Sequence, residues 1–113
     1  MAINSTQLTT SGDTGVYTSA GTNAVVTLII CNTGNPDPAG VDESINACAI
    51  TINFVKLGDV SNAANTVVKS LSVPAGETIF FSDEKVVLDS GDQIRATASV
   101  ANLLSITIST LPV

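Results

Sequence analysis

The sequence predicts an all-β fold: a single-domain antiparallel β-sandwich, jelly-roll or immunoglobulin-like, with seven to nine short strands. Three observations predict it. Thr, Val, Ile, Ser and Asn dominate, and most long apolar side chains are β-branched, as strands favour. Apolar residues recur with period two, and no window of eleven or more keeps a helical spacing. Clusters of Gly, Pro, Asn, Asp and Ser interrupt these runs at near-regular intervals, as in sandwiches.

Ile3 to Thr9 reads as a first strand suited to a sheet edge, within an N-terminal strand or arm over residues 1–10. Ser11 to Gly15 is a turn, and Val16-Tyr17-Thr18 a short strand closed by Ser19 to Thr22. Asn23 to Asn32 is a strong strand, with Val26, Leu28 and Ile30 on one face and Val25, Thr27, Ile29 and Cys31 on the other. Both faces are largely apolar, so both are expected to be covered. Residues 33–46 form the longest loop, rich in Gly and Pro. Ala47 to Leu57 is the next strand, with Cys48, Ile50, Ile52 and Phe54 pointing one way and Thr51, Asn53 and Val55 the other.

Gly58 to Asn65 is turn-rich, with Ala63-Ala64 able to take a helical turn. Thr66 to Val73 is a strand with Val67, Lys69, Leu71 and Val73 on one face. In the turn Pro74-Ala75-Gly76, Pro presets φ at the second position and Gly supplies the left-handed one. Glu77 to Phe81 resumes the strand, and Ser82 to Lys85 is a polar break before Val86-Val87-Leu88. Asp89-Ser90-Gly91-Asp92 is a hairpin turn of type I character with Gly91 at a bulge. Gln93 to Ser99 and Leu104 to Leu111 alternate as the last two strands, joined by Val100-Ala101-Asn102. Phe54 and Phe80 read as core.

The chain has 113 residues, 44% of them hydrophobic and 12% charged, the balance of a folded domain rather than a disordered one. Its formal charge of −6 repels phosphate, which argues against nucleic acid and against an anionic membrane surface as partners. The longest apolar stretch, Val25 to Cys31, is interrupted by Thr27 and too short to span a bilayer. The first residues carry no basic start and no apolar run, so synthesis in the cytosol is expected.

There is no His, so a serine nucleophile has no imidazole base and a zinc site has no imidazole ligand. The pairs Asp42-Glu43, Asp83-Glu84 and Asp89/Asp92 could act as carboxylate dyads, but no aromatic-lined cleft accompanies them. The expectation is a protein that is not an enzyme and holds no cofactor or metal. Asp37, Asp42 and Glu43 share one loop and offer oxygen ligands for calcium. Their spacing is not that of an EF-hand, and a solvated acidic loop is the stronger reading. Cys31 and Cys48 suit either a disulfide between neighbouring strands or two buried thiols. Cytosolic synthesis favours the thiols.

Four segments carry a resemblance: Asn4 to Thr9 with Val16-Tyr17-Thr18; Leu28 to Asn32; Leu71 to Thr78; and Glu84 to Ala98. Together they resemble small virion structural proteins of tailed bacteriophages, particularly cyanophage-like ones. The Pro74-Ala75-Gly76-Glu77 turn and the run into Asp89-Ser90-Gly91-Asp92 are the most specific parts. The resemblance covers most of the chain outside Thr33 to Asn46. It implies a β-sandwich built into a virion and no catalytic residue. Decoration of the capsid exterior as a cement protein is the role expected, with the major capsid protein or other virion proteins as partners. A tail, neck or baseplate component, or a receptor- or glycan-binding head, is the alternative.

The residues expected to contact partners are Ile3, Asn4, Ser5, Thr6 and Gln7, which could extend a neighbour's sheet, and Asp37, Asp42 and Glu43 in the long loop. Strands apolar on both faces also suggest self-association, and the local threefold positions of capsids suggest a homotrimer.

Overall fold

The computed structural model describes residues 2–82 and 85–113. The Asp83-Glu84 pair, and with it the centre of the expected polar break, lies outside the described residues. Nine strands are described: β1 Ala2–Gln7, β2 Asp13–Thr18, β3 Asn23–Asn32, β4 Cys48–Val55, β5 Thr66–Val73, β6 Thr78–Phe81, β7 Val86–Leu88, β8 Gln93–Ala98 and β9 Leu104–Pro112. One 3-10 turn, Ala63–Asn65, falls where two alanines permit it and is capped by Asn62, whose side chain accepts from the Ala64 amide.

Every strand pairing is antiparallel. One sheet runs β1-β9-β3-β6, with β7 also on β3; the other runs β2-β8-β4-β5. The first is called sheet A and the second sheet B. The order has a simple origin if β6 and β7 are two halves of one strand laid along β3. The chain then pairs from its ends inward: β1 with β9, β2 with β8, β3 with β6 and β7, β4 with β5. Rolling that long hairpin brings β9 beside β3 and β8 beside β4, which closes the two sheets. This is the jelly-roll order, and it decides between the two sandwich types the sequence allowed.

The core lies between the sheets. Leu104, Ile106 and Ile108 from β9 meet Ile94, Ala96 and Ala98 from β8, with Ile30, Ile50 and Ile52 among them, all at 0–1% exposure. The alternation expected for β8 and β9 is borne out residue by residue.

Elsewhere bulges shift the alternation. The β3–β9 register slips between Val25 and Thr27, so Val26 is an extra residue. Val25, not Val26, therefore joins Leu28 and Ile30 in the core. β5 slips twice against β4, and Ser70 has φ 49°. Val68, Leu71 and Val73 pack inward, whereas Val67 and Lys69, expected to share their face, are exposed. On β4, Asn53 and Val55 are buried although they alternate with buried Cys48, Ile50 and Ile52, and Phe54, expected on the face of those three, is only half-buried. Phe80 is 64% exposed, which corrects its placement in the core: Ile79 pairs with buried Ile30, so its neighbour Phe80 falls on the opposite face.

Two turns form where their residues place them, each with one correction. The Glu77 amide donates to the Pro74 carbonyl and Gly76 has φ 79°, so Gly holds the left-handed place and Pro74 sits at the first position, not the second. The Asp92 amide donates to the Asp89 carbonyl, with Gly91 at φ 92°, but the turn is not the expected hairpin: β7 lies on β3 in sheet A and β8 in sheet B, so it carries the chain from one sheet to the other. The two cysteines are free: Cys48 is buried in sheet B and Cys31 is half-buried on sheet A.

Candidate interaction surface

β1 is an edge strand, paired with β9 on one side only. Its six residues keep one unbroken register, from Ala2 opposite Thr110 to Gln7 opposite Ser105. They include no charge and no proline. The other three edges are all interrupted. β2 slips register at Val16 and begins at Asp13; β5 slips twice and carries Lys69; β6 and β7 are a broken pair of four and three residues. Bulges, charges and short strands are the devices that stop sheet edges from pairing with other chains. β1 has none of them.

Pairing register also assigns the faces of sheet A. Partners opposite one another share a face. Asn4 and Thr6 lie opposite Ile108 and Ile106 and so face inward, while Ile3, Ser5 and Gln7 face out. The outer face consists of four rows crossing the sheet. They read Val87-Ala24-Leu111, Thr27-Ser109-Ile3, Phe80-Ile29-Thr107-Ser5 and Thr78-Cys31-Ser105-Gln7. The Ser5 and Thr107 hydroxyls are 3.1 Å apart, within one such row. Among the described residues, no strand of sheet A contains a charge. Sheet B differs: its strands carry Asp13, Lys69 and Arg95.

The long loop gathers at the end of the sandwich near the β5–β6 turn. An open groove of about 400 Å³ there is bordered by Asp37, Asp42, Glu43, Ile45, Pro74 and Glu77. Asn32 anchors both ends of this loop. Fully buried, it donates from Nδ2 to the Asn46 and Val73 carbonyls at 2.8 and 2.9 Å, and its Oδ1 accepts from the Gly34 amide.

Within the loop, Asp37 accepts from the Ala39, Val41 and Asp42 amides. The Ala39 bond, then that from Asp42, holds its carboxyl below the ordinary aspartate value. Asp42 is lowered first by the Ser44 hydroxyl and next by the Ser44 amide. These hydrogen bonds shape the loop. Among the described residues no three acidic or cysteine side chains converge as metal ligands.

The structure thus brings Asp37, Asp42 and Glu43 together around one groove, and Ile3 to Gln7 along one edge, but it separates the two sets. β9 and β3 stand between β1 and the β6 side of the sheet. A further opening of about 250 Å³, almost wholly apolar, lies between β5 and the β6/β7 edge, where Val25, Phe54, Val67, Phe81 and Val86 meet. Residue patterning did not disclose the uncharged outer face. Its rows come from strands distant in sequence, and only the absence of charge in each segment could have pointed to it.

The chain matches no protein family and no curated protein. No helix among the described residues is long and apolar enough to cross a membrane.

Proposed function

We propose that this chain is a structural protein of a virus particle that works by packing against other proteins, as a decoration or cement protein on the capsid exterior. The observation that carries the reading is the unguarded β1 edge. It is a regular, uncharged strand whose outer backbone groups are free to extend a neighbour's sheet. The jelly-roll order supports it by analogy of fold, since capsid domains use that roll, as do lectins. The resemblance to small phage virion proteins supports it from the sequence. A protein that binds only the assembled shell stabilises that shell by mass action.

The test compares particles with and without the protein under heating and osmotic shock, with copies per particle counted by mass spectrometry. Hundreds of copies and a higher rupture temperature are expected. Equal rupture points, with a few copies located at the tail, would replace cement with a tail component. Wild-type particles are also to be compared with particles carrying Asn4→Lys and Thr6→Lys, inward-facing positions on β1 where a charge guards the edge without altering the outer face. Reduced occupancy by a folded variant is the expected result.

A further inference from the structure

We infer that the outer face of sheet A is a self-docking surface, on which a second copy of this chain packs face to face about a twofold axis. The argument starts from charge. Each copy carries a formal −6, with ten acidic residues against four basic ones. Two such chains repel wherever their acidic surfaces approach. A face without charges lets two copies meet while their carboxylates point away from the contact. Among the described residues, the outer face of sheet A meets that condition along every strand.

The composition of the face fits a protein surface better than a solvated one. Ile3, Phe80, Val87 and Leu111 are exposed there at 73, 64, 58 and 42%. They lie toward the edges of the rows, with Ile29, Thr107, Thr27 and Ser109 between them. Hydroxyls in the middle can exchange hydrogen bonds across the axis, and apolar residues at the sides exclude water.

Size is adequate too. Four strands about 4.8 Å apart and about eight residues long at about 3.3 Å per residue make a face of roughly 500 Å². Two such faces bury about 1,000 Å² in total, the lower bound for a specific interface. Contact through one face closes at two copies, because each uses the same patch and none remains for a third. The inference differs from the trimer expected from the resemblance, and it does not depend on the virion reading.

The experiment is sedimentation of the purified full chain from about 1 to about 100 µM, a span that brackets a micromolar dissociation constant. A concentration-dependent dimer is expected. Thr107→Glu and Thr107→Lys each place a charge near the centre of the face, and near its own copy across the axis. Each alone should weaken the dimer at least tenfold, and an equimolar mixture of the two should restore it. Ser72→Glu, on the exposed side of sheet B, should leave it unchanged. Circular dichroism reports whether each variant is folded; if the Thr107 variants are not, Phe80→Glu takes their place. A wild-type monomer at every concentration overturns the inference and leaves the face to a different protein. A trimer overturns it. So does a dimer indifferent to both charges on the face but lost with Asn4→Lys, an inward-facing position on β1, which would assign association to the β1 edge.

Discussion

Arg95 reaches from β8 to Asp13 at the start of β2, its Nε donating to Asp13 Oδ2 at 3.0 Å. Gly15, between them on β2, makes the path possible: a Cβ there would stand 3.1 Å from Arg95 Nη1. The second arm of the guanidinium donates to Gln93 Oε1 at 2.8 Å. This is the one ion pair among the described residues, and it belongs to sheet B. Both partners remain partly exposed, so its net stabilisation is about 0.2–1 kcal/mol. A double-mutant cycle of Asp13→Ala and Arg95→Ala by urea unfolding should return a coupling in that range, smaller still in high salt. A coupling above about 2 kcal/mol would show the pair to be screened from water more than its exposure implies.

Asn32 should be far more sensitive. Asn32→Ala leaves the Val73 carbonyl without its side-chain donor and unties both ends of the long loop. The expected loss is about 1–3 kcal/mol. Asn32→Asp should cost at least as much, because the carboxylate cannot donate and would be buried. Urea midpoints check both, and a variant as stable as the wild type would remove Asn32 as the anchor.

Register makes opposite forecasts for two neighbouring strands. Ile30→Ala opens a cavity at a residue with 0% exposure and should cost about 2–5 kcal/mol. Phe80→Ser, on the exposed outer face, should shift the isolated chain by less than about 0.5 kcal/mol, despite removing a larger side chain. Thermal unfolding at low concentration, where association is absent, separates the two. Comparable losses would mean that Phe80 is covered within one chain.

Acid should act on the long loop before the sandwich. The Asp37 and Asp42 carboxyls are held below the ordinary value of 3.8, chiefly by the Ala39 amide and the Ser44 hydroxyl respectively. A depressed folded value stabilises the loop above pH 3.8, and the contribution is lost as pH falls below that through the folded pKa values. Between pH 5 and pH 8 these groups contribute no pH dependence, a window about one unit clear of that titration. NMR titration of the Ala39 and Ser44 amides should give midpoints below 3.8. Asp37→Asn should abolish the Ala39 transition, and midpoints at or above 3.8 would contradict the hydrogen-bond assignment.

The fold class was legible in the sequence because period-two alternation survives wherever strands run without interruption. β9 shows this best: Leu104, Ile106, Ile108 and Thr110 are all buried, as their spacing requires. Alternation fails after a bulge, because one extra residue inverts every later side chain. Val26 and Ser70 gave no local sign of that role, so Val25 and Val67 were placed on the wrong faces. The edge position of β1 could be read from its polar, short composition. The uncharged face could not, since Ile3, Thr107, Ile29 and Phe80 become neighbours only through pairings set by the roll. Asn53, buried among Asn62, Asn65 and Thr66, was hidden for a related reason: its burial comes from the connection that folds back over β4.

The hydrogen bond between Ser5 and Thr107 joins residues 102 positions apart. During synthesis β1 therefore stays unpaired until β9, made long after it, has emerged from the ribosome. Until then the uncharged segments of sheet A have no native partners on both sides, and each is open to pairing with another nascent chain. Refolding should accordingly take milliseconds to seconds, as expected where distant contacts dominate, and stopped-flow measurement gives the rate. The yield of folded protein should fall as the concentration of refolding chains rises, because the strands that finish the roll are also the ones most able to cross-pair before it closes.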